Sequence, residues 1–441
     1  MKQQHVELLA IGAGPANLAL AVALEEMAPD DLVENTLVVE KNYDIAWQRG
    51  LLLPWTQSQV SFLKDLVTLR NPRSAYSFVN YLHATGRLDE FVNLGTFTPY
   101  RLEISRYLEW VASSLPRVRL DYGRQVVAVE PFREGDRITG WLVRFADEST
   151  VHCRDISFGI GRDRHVPEQF AQLPDERVVH STEFTAKVSR LDPAAVRRIV
   201  VVGGAQSAAE MLWASYQQFP QADCTMVMRS IGLDNYDSSK FTNELFYPSS
   251  VDTFFAASPE ARAQQLQEIH RSNYGGLAPG LLDSIYREMY LERLQGGRRL
   301  SMVTMTDVAD AQKDGDEVVL TLVDRRTGRT EELRCDVVLL GTGFSKRMPA
   351  VVRDLAAAIG LDEIAVDRSY RMVLPETATA RCYLQGVNEA THGIADSLIS
   401  VLAVRSGEIV TDLLAGRHPG PPPAGPDPGA AGLLLETLPQ N

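Results

Sequence analysis

Two glycine-rich turns, far apart in the sequence, contain the residues of this chain that are best suited to bind nucleotides. The first turn is Gly12-Ala13-Gly14-Pro15, between an apolar run typical of a buried strand and a run with helical spacing. The second turn is Gly203-Gly204-Ala205-Gln206-Ser207, and its surroundings have the same pattern. Glycines let the backbone approach a pyrophosphate, and a helix that begins at the turn offers free N–H groups. Both turns therefore predict dinucleotide binding.

The residue at the end of the following strand distinguishes the two turns. After the first turn, the apolar residues 37–39 lead to Glu40, whose carboxylate is suited to accept hydrogen bonds from an unphosphorylated ribose. After the second turn, residues 225–228 lead to Arg229, whose guanidinium is suited to a 2′-phosphate. We therefore expect FAD at the first turn and NADPH at the second. This pair of cofactors is typical of a flavoprotein oxidoreductase.

Other patterns indicate the elements that position these turns. Residues 156–161 and 335–344 are apolar strands that run into Gly-x-Gly turns, as expected for strands that return the chain to a dinucleotide-binding sheet. Residues 260–270 and 281–294 show helical apolar spacing without β alternation. The predicted fold class is α/β, with two Rossmann-like dinucleotide-binding domains, for FAD and NADPH, and a small helical substrate-binding insertion.

The same patterns predict where the domains begin and end. We expect an FAD-binding domain at 1–190 with 346–416, an NADPH-binding domain at 191–236 with 298–345, and a helical insertion at 237–297. Residues 417–441 are rich in proline and glycine and are expected to form a disordered tail.

Composition excludes several classes of function. The 441-residue chain has a net charge of −13, which argues against nucleic acid or an anionic membrane as a partner. Its 4 cysteines contain no Cys-x-x-Cys pair, so we expect neither a redox-active disulfide nor a metal site, and the usage suits a reducing cytoplasm. No apolar run is long enough for a membrane span.

One segment narrows the class of enzyme. Gln59, followed by Phe62-Leu63-Lys64-Asp65-Leu66, resembles a signature of the microbial N-hydroxylating flavin monooxygenases, the L-ornithine N5- and L-lysine N6-monooxygenases of siderophore biosynthesis. Asn17, in place of a third glycine, is similar to that family. Further resembling segments follow in the family's order at 204–208, 241–246, 272–274 and 391–400. The chain departs from the pattern at Ala205, where the family usually has glycine, so that a methyl group could crowd the NADPH pyrophosphate.

The resemblance implies a reaction. NADPH reduces FAD, the reduced flavin and O₂ form a C4a-hydroperoxyflavin, and the neutral side-chain amine of L-ornithine is hydroxylated. The product, N5-hydroxyornithine, would enter a hydroxamate siderophore or a related peptide. L-Lysine and diamines are the alternative substrates, and a non-catalytic flavin-binding protein is the alternative from another class. The resemblance also implies a homo-oligomer, often a homotetramer.

The resemblance assigns positioning roles to the site residues and no catalytic acid or base. Lys64 would hold the substrate α-carboxylate, and the full substrate-binding set is Lys64, Asn243, Asn273 and Ser400. Three alternatives stay open: a salt bridge of Lys64 with Asp65 or another acid, helix capping by the two asparagines, and Ser397 in place of Ser400. The residues assigned to FAD are Gly12, Gly14, Pro15, Asn17, Glu40, Trp47 and Gln59. Those assigned to NADPH are Gly203, Gln206, Ser207 and Arg229.

Overall fold

The computed structural model describes residues 4–237 and 239–417 of the chain. Its strands are β1 (Gln4–Ile11), β2 (Thr36–Glu40), β3 (Arg119–Tyr122), β4 (Val126–Glu134), β5 (Arg137–Phe145), β6 (Thr150–Phe158), β7 (Val178–His180), β8 (Arg198–Val202), β9 (Asp223–Val227), β10 (Leu300–Val303), β11 (Thr306–Asp314), β12 (Glu317–Asp324), β13 (Thr330–Cys335), β14 (Val337–Leu340) and β15 (Cys382–Leu384). The strands that lead into the two glycine turns, β1 and β8, consist largely of buried apolar residues, as expected for central strands of parallel sheets.

The helices lie mainly between these strands. They are α1 (Pro15–Met27), α2 (Asp30–Glu34), α3 (Phe78–Ala84), α4 (Leu88–Leu94), α5 (Arg101–Ser114), α6 (Phe184–Val188), α7 (Gln206–Gln218), α8 (Lys240–Glu244), α9 (Ser249–Ala256), α10 (Pro259–Glu268), α11 (His270–Asn273), α12 (Pro279–Leu294), α13 (Ala350–Ala358), α14 (Glu389–His392) and α15 (Leu402–Ala415). Short 3₁₀ helices occur at Arg49–Leu51, Glu168–Phe170, Ser181–Glu183, Ile394–Ser397 and Ile399–Val401.

Three sheets organise the described residues. The first has the order β3-β2-β1-β6-β5-β4, with β15 also paired to β6. The second is parallel and has the order β10-β9-β8-β14-β7. The third, β11-β12-β13, is antiparallel and shares a core with the second, in which Val318 and Leu320 pack with Val200 and Val338. The prediction of an α/β fold with two Rossmann-like domains is confirmed.

The two return strands lie directly beside the strands that lead into the glycine turns. β6 is parallel to β1, and β14 is parallel to β8. A Cβ atom on Gly12 would lie 2.9 Å from the carbonyl oxygen of Gly159, and one on Gly203 would lie 2.5 Å from that of Gly341. Both approaches are too close for a side chain. Glycine is therefore required at each turn for packing against the return strand.

Strand pairing differs from the expected domain organisation at two places. Residues 178–180 form β7, which pairs with β14 in the second sheet, so the chain enters the second domain before residue 178 and not at residue 190. A bridge between Asn235 and Leu277 closes the helical insertion, which therefore ends near residue 276 and not at 297. Both boundaries depend on pairing between residues that are distant in the sequence.

Helix α12 belongs to the second domain, although the sequence placed it in the insertion. Its Ile285 and Met289 are buried in the core of the second sheet, and the helix connects β9 to the parallel strand β10. At the end of the described residues, β15 joins the first sheet, and α15 packs on α1. Residues 418–441, most of the predicted tail, lie outside the described residues.

A buried ion pair connects the two nucleotide-binding domains. Arg101, the first residue of α5, donates two hydrogen bonds of 2.7 Å to the carboxylate of Glu210 in α7. Both side chains are almost completely buried. The Gln206 amide donates to the same carboxylate at 2.7 Å and accepts from the Ala278 N–H at 2.8 Å. This network links the first domain to the start of α7 and to the segment that precedes α12.

Removal of the Glu210 carboxylate should destabilise the protein strongly. Glu210→Ala leaves the Arg101 guanidinium buried without its partner, which costs about 3–5 kcal/mol of unfolding free energy. Glu130→Ala is the matched control, because Glu130 pairs with Arg144 where both side chains are about half exposed, and such a pair contributes about 1 kcal/mol or less. Thermal and urea unfolding of both variants measure the difference. Equal losses would contradict a central role for the Arg101–Glu210 pair.

Candidate functional site

The first glycine turn has the features of a pyrophosphate site. Gly14 caps the 13-residue helix α1 without a side-chain hydrogen bond, and Pro15 follows as its first residue, so the helix N-terminus is open to a ligand. Gly12 has a φ of +90°, which favours glycine. The carboxylate of Glu40 accepts a hydrogen bond of 3.0 Å from the Ala13 N–H. The predicted ribose-binding carboxylate is therefore at the turn itself.

Asn17 supports this turn from within the protein. Its side chain is fully buried and donates to the carbonyl groups of Ile11 and Gly12 at 2.8 and 2.9 Å. Its amide oxygen accepts hydrogen bonds from Ser157 at 3.0 Å and from Gln385 at 2.8 Å. These contacts connect the ends of β1, β6 and β15. The side chain of Asn17 thus fixes the shape of the turn and does not face a ligand.

The other two residues assigned to FAD lie on the chain between β2 and α3. Trp47 is half-buried against the core of the first domain, and its backbone N–H donates to the Ser105 hydroxyl at 3.1 Å. Gln59 is exposed and lies in a turn that the Ser58 hydroxyl stabilises by accepting from the Val60 N–H at 3.0 Å. Both positions are compatible with contacts to a flavin.

The second glycine turn is built in the same way. Gly203 has a φ of +139°, and Ala205 caps α7 without a side-chain hydrogen bond. A Cβ atom on Gly204 would lie 2.9 Å from the Ser230 hydroxyl, so the turn is pressed closely against the residues that follow β9. Ser207, the second residue of α7, is half-buried at the open helix end. These features fit the pyrophosphate of a second dinucleotide.

Arg229 is exposed two residues after the end of β9. Its carbonyl accepts a hydrogen bond of 3.3 Å from Arg325, which itself pairs with Asp307 at 3.2 Å. The Arg229 guanidinium forms no ion pair with the described residues, so its charge is available to a phosphate.

The side-chain amide of Gln206 is already hydrogen-bonded within the protein, because it donates to Glu210 and accepts from Ala278. Its predicted contact with NADPH would therefore not come from the amide group in this arrangement.

The side chains of the signature segment point in different directions. Phe62 lies in a cluster of aromatic rings with Phe78, Phe91 and Phe97. The buried carboxylate of Asp65 accepts hydrogen bonds from the backbone N–H of Phe78 at 2.7 Å and from those of two nearby residues, Val67 and Thr68. Burial raises the pKa of this carboxyl group, whereas its hydrogen bonds act in the opposite direction. Asp65 thus anchors the segment to the start of α3.

This anchoring bears on the expected salt bridge between Lys64 and Asp65. Because the Asp65 carboxylate faces the backbone of α3, it does not pair with the Lys64 ammonium. That ammonium lies 4.2 Å from the centroid of the Tyr247 ring. Burial lowers the pKa of Lys64, and no charged group among the described residues contributes to the shift. Lys64 therefore presents a half-buried cation that has no anionic partner in the part of the chain that the structure describes.

In the helical insertion, the turn that follows α8 lies beside Lys64. Ser239 caps α8 through its hydroxyl, and Asn243 lies in the last turn of the helix, so Asn243 is not its N-cap. Phe246 is buried with Ile394 and Val401. The turn that follows Asn243 and contains Tyr247 thereby packs against the segment that contains Ser400.

The position of Asn273 is fixed by the contacts of Tyr274, the next residue in the sequence. Asn273 is the last residue of the short helix α11, and the following helix is capped by Ala278, so Asn273 caps neither helix. The Tyr274 hydroxyl donates to the Glu389 carboxylate at 2.5 Å. Arg162 donates to the same carboxylate at 2.9 Å. This partly buried group attaches the Asn273 turn to the first domain.

The structure separates the two candidate serines. The Ser397 hydroxyl lies 3.4 Å from the Tyr274 hydroxyl. Ser400 is 3% exposed, and its hydroxyl has no hydrogen-bond partner among the described residues. Its neighbour Ile399 lines a small cavity together with Lys64 and Pro15 of the first glycine turn. Ser400 is thus the better placed of the two to meet a ligand that lies between Lys64 and the flavin site.

His392 has a structural role in this region. Its ring stacks on Tyr370 with 4.2 Å between the ring centroids, and its two nitrogens lie 2.9 Å from the Thr391 hydroxyl and 3.3 Å from the Arg368 carbonyl. Burial lowers the pKa of His392 to about 4, so the ring is neutral near pH 7. These contacts satisfy the imidazole and stabilise the segment before Ser400.

Sequence reasoning missed several residues that shape the site. Tyr247, Arg162 and Glu389 lie outside the recognised segments, and only tertiary contacts bring them to the assigned residues. Tyr274 lies in the segment 272–274, which resembles the family, and directly follows Asn273. Its position next to Asn273 in the sequence could therefore have indicated that it belongs to the site. Among the described residues, no group of His, Cys, Asp or Glu is arranged to hold a metal ion.

Comparison with known proteins shows the family of this chain. The family model for L-lysine 6-monooxygenase/L-ornithine 5-monooxygenase matches residues 4–346. The chain belongs to this family. An L-ornithine N(5)-monooxygenase of Burkholderia cepacia is 37% identical over 399 residues, covering 88% of this chain and 89% of that protein. The L-ornithine N(5)-oxygenase of Arthrobotrys oligospora is 35% identical over 430 residues, covering 92% and 88%.

Solved structures of the L-lysine 6-monooxygenase/L-ornithine 5-monooxygenase family are also similar. Ornithine hydroxylase PvdA of Pseudomonas aeruginosa has a TM-score of 0.87 at 34% identity, covering 94% of this chain and 100% of that one. Ornithine N-hydroxylase KtzI of Kutzneria sp. 744, named as a complex with reduced FAD, NADP⁺ and L-ornithine, has a TM-score of 0.87 at 35% identity with the same coverage. The described part of the chain contains no helix that is long and apolar enough to cross a membrane.

Proposed function

We propose that this flavin monooxygenase hydroxylates the side-chain amine of L-ornithine, with FAD and NADPH as cofactors. The product is N5-hydroxyornithine, for a hydroxamate siderophore or a related peptide. The observation that carries the proposal is the half-buried ammonium of Lys64, which lacks an anionic partner among the described residues and borders a cavity that reaches the first glycine turn. A buried cation needs an anion, and the α-carboxylate of an amino acid supplies one.

The two nucleotides fit the two turns. FAD binds at Gly12, Gly14, Pro15 and Glu40, with Trp47 and Gln59 beside its ring system, while Asn17 holds the turn in shape. NADPH binds at Gly203 and Ser207, with Arg229 on its 2′-phosphate, and Gln206 holds the helix start. When bound, the flavin transfers electrons from NADPH to O₂ and so supplies the activated oxygen. The extended backbone of Ala205 places its methyl group at this turn, where the family usually has glycine.

The residues of the chain bind and orient the amino acid. Lys64 fixes its α-carboxylate, Asn243 and Asn273 bind its polar groups, and Ser400 lies near the side-chain amine. These groups hold the amine at one place relative to the flavin and are not assigned as acids or bases. His392 is not assigned as an acid or base either, because both of its ring nitrogens already have structural partners. Positioning and the exclusion of water are the contributions that such a reaction requires of the protein.

The relatives at 34–37% identity favour L-ornithine as the substrate. The L-lysine 6-monooxygenase of Pseudomonas syringae is also similar, at 28% identity and a TM-score of 0.83. Both amino acids would place the carboxylate on Lys64, so the length of the side chain decides where the amine lies. One methylene group in a fitted pocket changes selectivity by about 10–200-fold.

A product assay tests the choice of substrate. Hydroxylamine formed per NADPH consumed is measured with L-ornithine, L-lysine and putrescine. We expect the highest kcat/KM and the tightest coupling with L-ornithine, because a shifted amine allows NADPH oxidation with release of peroxide. Better coupling with L-lysine would refute the substrate assignment, and hydroxylation of no amine would refute the proposed activity.

Replacement of Lys64 tests the carboxylate site. Lys64→Ala should retain FAD and its reduction by NADPH, while kcat/KM for L-ornithine falls about 10–150-fold, which corresponds to the loss of a charged hydrogen bond of about 1.5–3 kcal/mol. Lys313→Ala, at an exposed position of β11, removes the same charge away from the site and should behave as wild type. Loss of bound FAD in the Lys64 variant would instead assign Lys64 to the fold.

Replacement of Arg229 tests the NADPH site. Arg229→Ala should raise KM for NADPH and have little effect on KM for NADH. The increase in KM for NADPH should correspond to about 1.5–3 kcal/mol, the contribution of the lost contact with the 2′-phosphate. Arg326→Ala is the control, because Arg326 is held by Asp324 at 2.6 Å on a neighbouring hairpin. Equal effects of Arg229→Ala on both nucleotides would contradict the assignment.

The assembly and location of the enzyme are part of the proposal. We expect a cytoplasmic homo-oligomer, a tetramer by similarity to the family, and neither nucleic acid nor a membrane as a partner. Its net charge of −13 supports the last point. Light scattering of the purified protein measures the mass of the assembly.

A further inference from the structure

Tyr247 contacts Lys64 in a way that the proposed carboxylate site does not itself require. The 4.2 Å between the ammonium and the ring centroid is within the range in which an aromatic face attracts a cation. The ammonium is partly removed from water and forms no ion pair with the described residues. The ring face is therefore a group of complementary electrostatic character that lies against the Lys64 ammonium.

The backbone around Tyr247 holds the ring in place. Its N–H donates to the Glu244 carbonyl at 3.2 Å, and its own carbonyl accepts from the Ser250 hydroxyl at 2.8 Å. The preceding residue, Phe246, is buried among apolar side chains that include Ile394. Tyr247 therefore lies on a turn that is fixed both by hydrogen bonds and by packing against the segment of Ser400.

We infer that Tyr247 is a positioning residue that covers one side of the Lys64 ammonium and directs the opposite side towards the substrate α-carboxylate. A lysine side chain is long and flexible, and ordering it normally opposes binding. When the ring orders the ammonium before the substrate arrives, less of this cost falls on the binding step. The inference rests on the proposed function, because it requires a substrate with a carboxylate. Tyr247 then contributes to the selection of amino acids over simple diamines.

Two substitutions separate the ring face from the bulk of the side chain. Tyr247→Leu removes the face, whereas Tyr247→Phe retains it and loses only a hydroxyl that makes no hydrogen bond with the described residues. We expect Tyr247→Leu to raise KM for L-ornithine about five- to thirtyfold, as for a partly desolvated cation–π contact. Tyr247→Phe should remain within about twofold of wild type on the same grounds. Tyr290→Leu, at a position that is 58% exposed on α12, is the matched control and should change neither value.

Two further ligands show whether the effect acts through the carboxylate. L-Norvaline has the α-carboxylate of ornithine but no side-chain amine, and its inhibition constant should rise in parallel with KM in Tyr247→Leu. Putrescine has the amine but no carboxylate, and the NADPH oxidation that it stimulates should be the same in wild type and variant. Flavin reduction by NADPH without an amine should also be unchanged, since Tyr247 forms no hydrogen bond or cation–π contact with either glycine turn among the described residues.

The outcomes distinguish this inference from the function on which it rests. A Tyr247→Leu variant that responds to L-ornithine and L-norvaline as wild type does would overturn the inference and leave the hydroxylation intact. Equal losses with ornithine and putrescine, or impaired flavin reduction, would assign Tyr247 to the packing of the insertion and also overturn it. A wild-type protein that hydroxylates no amine would overturn the proposed function itself.

Discussion

The buried pair of Arg101 and Glu210 is the interaction on which the geometry of the site depends. Two charges that are removed from water require close mutual compensation, and the paired hydrogen bonds of 2.7 Å provide it. Arg101 begins α5 in the first domain, whereas Glu210 lies in the first turns of α7, just after the second glycine turn. Because Gln206 extends the network to Ala278, one set of contacts holds both nucleotide-binding domains in a defined relation. Transfer of electrons between two bound nucleotides requires such a relation.

The candidate substrate site follows a different physical rule. It is built around a cation that the protein leaves without a carboxylate among the described residues. The fold achieves this by turning Asp65, the adjacent acid in the sequence, towards the backbone of α3, where N–H groups satisfy it. The ammonium of Lys64 instead lies over the ring of Tyr247. A half-buried ammonium of this kind disfavours folding slightly and favours an anionic ligand, so stability and binding are opposed at this position.

The insertion shows how a substrate site can be added to a pair of dinucleotide-binding domains. Its two ends are joined by the bridge between Asn235 and Leu277, so the added helices do not disturb the second sheet. The far side of the insertion packs against the first domain through Phe246 and through the contact between Tyr274 and Glu389. The insertion therefore spans from the NADPH domain to the flavin domain.

The sequence by itself determined the features that are local. The glycine turns, the charges at the strand ends and the signature around Lys64 depend on short segments, since a strand, a turn and the start of a helix are specified by neighbouring residues. It also predicted the two Rossmann-like domains, because each repeats the same local order. The tertiary structure alone decided that Asp65 faces away from Lys64, that Asn17 and Gln206 support their turns from within, that β7 and α12 belong to the second domain, and that Tyr247 lies on Lys64. Each of these depends on contacts between segments distant in the chain, whose distance and direction no local pattern encodes.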